Sequence, residues 1–244
     1  MRNIFSSKKT IVVLALFLVG VALFVLLQKK PSEAPLSENA REHKSFDLSL
    51  SEFSHIHRAG LIVTSEAIHD NGKKEDAKIA GVKIWNSWKL IVRDFASAQP
   101  ENFKRTENWT VNLEKISKML ELANEDMIRA DFVGAEKKMK DANRLLGDMR
   151  FENNISNPDD VFFAVYESVK KITEAKNRAD AIKHLPALKL KFIECKNFDY
   201  SPEYQKALSD VEKAISDIEN STNKTFPSYQ PKLMIVFRKL FLSY

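Results

Sequence analysis

An unbroken apolar run of seventeen residues lies near the N-terminus of the chain, at residues 11–27 (IVVLALFLVGVALFVLL). It contains no charged residue and no proline. As a helix that rises about 1.5 Å per residue, it covers most of a hydrocarbon core of about 30 Å. The run therefore predicts a single transmembrane anchor over residues 11–27, preceded by a short N-terminal segment at residues 1–10.

Two other interpretations fit the run less well. A cleaved signal peptide has an apolar region of about 7–15 residues and ends at a small-residue cleavage site. Here the run is longer and the polar segment Gln28-Lys29-Lys30-Pro31 follows it. A core helix of this length would carry a polar face, which the run lacks. An uncleaved anchor is the favoured interpretation.

The basic residues around the run predict its orientation. Arg2, Lys8 and Lys9 precede it, and only Lys29 and Lys30 follow it closely. Positive residues favour the cytoplasmic side, so the N-terminus is expected in the cytoplasm. The chain would then sit in the inner (cytoplasmic) membrane, with residues 46–244 facing the periplasm or the exterior.

The net charge of +5 belongs entirely to the anchor region. The first thirty residues hold five Lys and Arg and no Asp or Glu, and the remaining 33 Lys and Arg are balanced by 33 Asp and Glu. Anionic lipid headgroups attract such flanking charges. The rest of the chain is neutral, which argues against nucleic acid as a partner.

After a polar linker at residues 28–45, the apolar residues recur at steps of three and four, as on the buried face of an amphipathic helix. The most regular stripe is Trp109, Leu113, Ile116, Leu120, Ala123 and Met127. We expect an all-α fold in which residues 46–244 form an antiparallel bundle of about six to seven helices. They are expected at about 48–70, 75–98, 109–127, 131–149, 157–183, 201–218 and 232–242.

Turn and capping residues set these boundaries. Asn71-Gly72 predicts a helix end, and Asp131 and Asn157 predict helix starts. Pro186 is expected to break or kink the helix before a short piece that ends at Cys195, and Pro227 and Pro231 are expected to bracket a turn. The segments WKLIVRDF (88–95) and LKLKFIEC (188–195) resemble each other, which leaves open a division into two related halves at about 46–150 and 157–244.

The polar residues do not form a recognisable catalytic or metal-binding motif. His55 and His57 diverge on a helix, and His69 and His184 lie far from both in sequence, so all four are expected at the surface or as caps. Acids such as Glu136 have a lysine three or four residues away, which predicts solvated helix faces. No catalytic residue, metal site or cofactor is predicted.

Two residue types leave alternatives open. The lone cysteine, Cys195, is expected to be buried, the alternative being a disulfide to another chain. The methionines are expected to fill the core, although a Met/His pair could hold haem in a helical bundle. Those in question are Met119, Met127, Met139 and Met149.

The C-terminal segment LMIVFRKLFLSY (233–244) is apolar at most positions. It is expected either to pack as the last helix of the bundle or to stay partly exposed for a partner or the bilayer. The candidate interaction residues are Leu233, Val236, Phe237, Leu240 and Phe241.

These patterns predict a non-enzymatic protein. The leading expectation is a membrane-anchored interaction or scaffolding subunit of a cell-envelope complex, with other membrane or envelope proteins as partners. The alternative is a periplasmic ligand-, metal- or haem-binding bundle of the four-helix type.

Overall fold

A computed structural model describes residues 45–199 and 201–244, which form eight α-helices and no strand. The all-α prediction is confirmed for this part of the chain. The helices are α1 (Phe46–Ala67), α2 (Lys74–Phe95), α3 (Trp109–Ile128), α4 (Phe132–Glu152), α5 (Pro158–Thr173), α6 (Arg178–Cys195), α7 (Pro202–Glu219) and α8 (Phe226–Ser243).

The predicted anchor and all but the last residue of the linker fall outside the described residues. Of the eight helices above, none is long and apolar enough to cross a membrane.

The eight helices pack as two groups of four within one compact unit. In the N-terminal bundle, α1 to α4, each helix packs against the next, and α4 packs against α1. In the C-terminal bundle, α5 to α8, the same pattern recurs and α8 packs against α5. The pair α1 and α8 joins the two bundles. Helices α2 and α3 run in opposite directions, because Trp109 at the start of α3 donates to the Phe95 carbonyl at the end of α2, whereas Trp88, earlier in α2, donates to Ser117, later in α3.

The apolar stripes of α3 and α4 form the centre of the N-terminal bundle. All six residues of the predicted α3 stripe are buried. The matching α4 stripe is buried too and consists of Phe132, Ala135, Met139, Ala142, Leu146 and Met149. Residues three and four apart share one helix face, so the two stripes can pack along their full length.

The predicted helix starts are confirmed in atomic detail. The Asp131 side chain accepts a hydrogen bond from the Gly134 N–H, and the Asn157 side chain accepts one from the Asp159 N–H. Pro158 occupies the first turn of α5, where a missing N–H costs nothing. These caps satisfy backbone donors that would otherwise lack partners.

The described residues form eight helices, whereas six to seven were expected. The expected fifth helix is two helices, because α5 ends at Thr173 and the side chain of Asn177 caps α6 by accepting from the Asp180 N–H. Pro186 lies inside α6 and does not end it. A proline removes one backbone hydrogen bond, but Leu185 and Leu188 on either side are buried and hold the helix in place.

The prediction of a turn at Pro227 and Pro231 is also wrong. Both prolines lie within α8, which begins at Phe226. Pro227 stands in the first turn, and Phe226 and Leu233 are buried against the C-terminal bundle. Packing on both sides of Pro231 outweighs the loss of one backbone hydrogen bond at this proline.

The α2–α3 contact gives a stability prediction. Trp88 is fully buried and its indole N–H donates to the Ser117 hydroxyl at 2.9 Å, and Leu113 is fully buried one turn away. Trp88→Ala or Leu113→Ala should lower the free energy of unfolding by about 2–5 kcal/mol. Thermal unfolding followed by circular dichroism measures this, with Val133→Ala as the control because Val133 is 63% exposed. Unfolding midpoints equal to that of the control would contradict the assigned core.

Candidate interaction surface

The candidate interaction residues of the C-terminal segment lie within the fold. Leu233, Phe237, Leu240 and Phe241 are buried in α8, and Val236 packs partly buried against the core. The structure therefore shows the first of the two expected arrangements, in which this segment is the last helix of the bundle. Its buried apolar side chains are covered by α7, α5 and α1, whereas Ile235 and Leu242 are 52% and 40% exposed.

The expectation that the histidines lie at the surface is wrong for His57. It is 1% exposed in α1, between the rings of Phe53 and Phe163, whose centroids lie 5.4 and 5.6 Å away. Burial lowers the pKa of His57 to about 4, against the opposing effects of Asp159 and of a hydrogen bond to the backbone of Met139. The imidazole is therefore neutral at pH 7.

A layer of ion pairs fills the junction between the two bundles, and we call it the charged seam. From α1 and α4 it takes Arg58, Glu66, Glu136, Lys140 and Arg150. From α5 and α8 it takes Asp159, Asp160, Glu167, Lys170 and Arg238. Each cation of one bundle meets an anion of the other.

The pairs at the two ends of α5 are the most enclosed. The guanidinium of Arg58 donates to the carboxylate of Asp159, and the two side chains are only 4% and 6% exposed. The Glu136 carboxylate accepts from Lys170 at 2.5 and 2.6 Å and from the Tyr166 hydroxyl at 3.1 Å. Glu136 was expected on a solvated face, and its burial is a further correction.

A cleft of about 860 Å³ opens at one end of the charged seam. The guanidiniums of Arg58 and Arg150 line it, and within the described residues Arg58 Nε and Arg150 Nη1 have no hydrogen-bond partner. Three carboxylates, those of Asp47, Glu52 and Asp159, line the same cleft. Acids thus outnumber basic groups, so the cleft does not suit an anion.

Two of the methionines weighed for haem lie near each other in the core. Met127, Met139 and Met149 are buried in the N-terminal bundle, and the sulfur atoms of the first two lie 3.8 and 3.9 Å from the Thr64 hydroxyl. Across the described ranges, no three His, Cys, Asp or Glu side chains are grouped to hold a metal ion. Cys195 is buried, as expected, and burial raises the pKa of its thiol to about 12.

Several apolar side chains are exposed on the outer side of α2. Ile79, Val82 and Leu90 are 50%, 45% and 52% exposed, and they share one helix face with Asn86. A shallow groove of about 1120 Å³ crosses this face, bordered by Ile56 of α1 and Ser117 of α3. Because Trp88 is fixed in the core on the opposite side of α2, the outer stripe is held rigidly in position.

Helix α2 itself contributes no acid to this face and bears basic groups, whereas Glu52 of α1 and Glu114 of α3 also line the groove. Residues 77–93 contain four Lys and Arg and no Asp or Glu. The Lys89 ammonium lies 5.4 Å from the centroid of the half-buried Trp85 ring. In the part of the chain that the structure describes, no carboxylate pairs with Lys83 or Lys89. Our sequence reasoning did not single out this face, although the acid-free run was a signal for it.

Phe151 is a second exposed apolar side chain, at 84%, beside a groove of about 480 Å³ between α4 and α5. It lies at the end of α4, and the other exposed large apolar side chain of this helix, Val133, lies at its start. Single exposed apolar residues are common on monomeric proteins, whereas contiguous ones mark contact sites. The α2 face is therefore the stronger candidate.

In comparisons with protein-family models, curated proteins and solved structures, nothing matches this chain.

The buried histidine predicts a pH dependence of stability. Because the folded pKa of His57 lies below the ordinary value of 6.5, its contribution is complete above pH 6.5 and is lost as pH falls towards 4. Between pH 7 and pH 5 the free energy of unfolding should fall by about 2 kcal/mol on this account. Urea titrations at both pH values measure the difference, which should shrink by that amount in His57→Leu. An equal pH dependence in both proteins would contradict the assignment.

The charged seam predicts a large cost for breaking one pair. Arg58→Met leaves the buried Asp159 carboxylate without its cation and should cost about 3–5 kcal/mol, and adding Asp159→Asn should recover part of the loss. Denaturant unfolding provides the measurement. Lys213→Met is the control, because the Lys213–Asp217 pair is largely exposed and should contribute below about 1 kcal/mol. If Arg58→Met is as stable as Lys213→Met, the Arg58–Asp159 pair does not have this role.

Proposed function

We propose that this chain is a membrane-anchored, non-catalytic subunit of a cell-envelope complex, in which the helical fold binds or holds other proteins. The apolar run at residues 11–27 supports the anchor, and the basic residues that precede it support a cytoplasmic N-terminus in the inner membrane. The balanced charge of the remaining chain supports a protein partner over nucleic acid.

The α2 face is the observation that carries the proposal. Three apolar side chains on one face of α2, those of Ile79, Val82 and Leu90, are about half exposed, and the opposite face is buried in the core. Each exposed aliphatic side chain gains roughly 25 cal/mol per Å² of apolar area when a partner covers it. A stripe of this kind with lysines at its border has the composition of a protein contact, apolar at its centre and polar at its rim.

The test is affinity purification of the tagged full-length protein from membranes in mild detergent. We expect a membrane or envelope protein to co-purify in stoichiometric amount, and we expect Leu90→Asp to reduce its recovery by at least half. A charge at the centre of an apolar contact must be desolvated without a partner, which weakens binding. Leu90 is half exposed, so the variant should fold normally.

Val133→Asp is the matched control, because Val133 is a similarly exposed aliphatic residue on α4. It should leave the recovery unchanged. A wild-type protein that purifies alone, or a partner that is lost equally in both variants, would contradict the proposal.

A second candidate is a ligand-binding bundle, and the cleft at the end of the charged seam is the observation that favours it. Two buried guanidinium groups at the cleft each retain one N–H nitrogen without a partner among the described residues. Such groups favour a ligand with hydrogen-bond acceptors. A visible spectrum, elemental analysis and native mass spectrum of the purified protein distinguish this function, because a bound small molecule or metal would appear in them.

A further inference from the structure

Four Asn-x-Ser/Thr triplets, the acceptor motif for N-linked glycans, occur in the chain. They begin at Asn108, Asn154, Asn220 and Asn223, and all four asparagines are exposed. In this motif the asparagine amide receives the sugar, and the hydroxyl two residues later is recognised together with it. A folded chain therefore serves as an acceptor where both side chains are accessible and no helix holds the triplet.

Three of the four triplets do not meet this requirement. The first is held at the start of α3, where Trp109 is buried and the Thr110 hydroxyl donates to the Ala96 carbonyl at 3.0 Å. It could not reach an enzyme without unwinding the first turn of that helix.

The two triplets before α8 are constrained as well. Ser221, between Asn220 and Thr222, is buried. The Thr225 hydroxyl, two residues after Asn223, accepts from the Thr222 N–H at 2.9 Å. Each of these triplets thus has a member that is buried or hydrogen-bonded to the fold.

The triplet Asn154-Ile155-Ser156 meets the requirement. It lies between the end of α4 and the start of α5, outside both helices. Asn154 and Ser156 are both exposed, and among the described residues neither side chain makes a hydrogen bond. The amide and the hydroxyl are therefore both free to bind an enzyme.

The backbone of this connection presents Asn154 to the solvent. Asn154 has a φ of 57° and donates its N–H to the Phe151 carbonyl at 3.0 Å, a left-handed turn conformation that asparagine tolerates. The residues on either side are fixed, because Asn153 is hydrogen-bonded to the connection between α2 and α3 and Ile155 packs partly buried against the core. Asn154 thus projects from an anchored turn.

An exposed aromatic ring and a groove lie beside this turn. Phe151, which is 84% exposed, is three residues before Asn154. The C–H face of a pyranose ring is apolar and can cover an aromatic ring, which removes apolar area from water. The groove of about 480 Å³ between α4 and α5 is lined by Phe151 and Ser156, and by the polar residues Asn143 and Asp148. Amide and carboxylate groups of this kind hydrogen-bond sugar hydroxyls.

We propose that Asn154 is an N-glycosylation site whose first sugar packs against the ring of Phe151. The donor is an oligosaccharide linked to a polyprenyl diphosphate. The Asn154 Nδ2 atom forms a bond to C1 of the sugar while the bond from C1 to the diphosphate oxygen breaks. Nδ2 gives up one proton to a base of the transferase, and polyprenyl diphosphate leaves. The inference rests on the proposed function for one point, the location of residues 46–244 outside the cytoplasm.

The test is peptide mapping by mass spectrometry of the full-length protein purified from its native membrane. We expect the peptide that contains residues 152–156 to carry hexose-containing mass. Ser156→Ala should abolish this mass because the recognised hydroxyl is lost, and Ser156→Thr should retain it. Ser156 is exposed, so both variants should fold. Asn223→Gln is the matched control and should leave the modification unchanged.

Thermal unfolding tests the contact with Phe151. The glycosylated protein should unfold about 2–4 °C above Ser156→Ala, the shift expected when one apolar contact is lost from a domain of this size. In a Phe151→Ala background the difference between the two proteins should disappear. A difference of the same size in both backgrounds would overturn the contact with the ring.

Labelling of surface lysines in spheroplasts with a membrane-impermeant reagent separates the two levels of the proposal. Lysines that react while Asn154 is unmodified would overturn the inference and leave the proposed location standing. Protected lysines together with an unmodified Asn154 would overturn the location as well. A glycan that persists in Ser156→Ala, or one found at Asn108, Asn220 or Asn223 while Asn154 is bare, would also overturn the inference.

Discussion

The mutual position of the two bundles depends on the charged seam. Along α4 the charges run negative at Glu136 and positive at Lys140 and Arg150, and α5 presents the opposite sequence. A displacement of α5 by one helix turn would bring like charges together in a partly buried layer, where repulsion is strong. Buried ion pairs seldom add net stability, because desolvation offsets their attraction. Their effect here is to select one register of two bundles that apolar packing alone would let slide.

Apolar stripes hold each bundle together, whereas the charged seam joins the two bundles. This difference explains which helix faces remain exposed. Helices α1, α4, α5 and α8 bury a face in their own bundle and a second face at the seam. Helices α2, α3, α6 and α7 make their main contacts within their own bundle, so their outer faces remain open. Leu90 on α2 and Leu190 on α6 are exposed on such faces.

The local sequence pattern was sufficient to predict the structure where the contacts of a single helix determine it. The spacing of apolar residues predicted the buried stripes of α3 and α4, and the side chains of Asp131 and Asn157 predicted helix starts. It failed where packing outweighs a local signal, as at Pro231 within α8. It also failed for His57 and Glu136, because Phe163, which packs on His57, and Lys170, which pairs with Glu136, belong to the other bundle and are distant in sequence.

The sequence by itself determined the helical class, the main stripes and most helix ends, since these follow from backbone geometry and from residues within a few positions of each other. It also contained the similar segments at 88–95 and 188–195, but it did not show which of their residues are exposed. Only the tertiary structure decided which polar groups are buried, that α8 belongs to the core, and that Leu90 and Leu190 stay exposed. Those properties depend on which helices meet, and long-range packing and charge pairing set that choice.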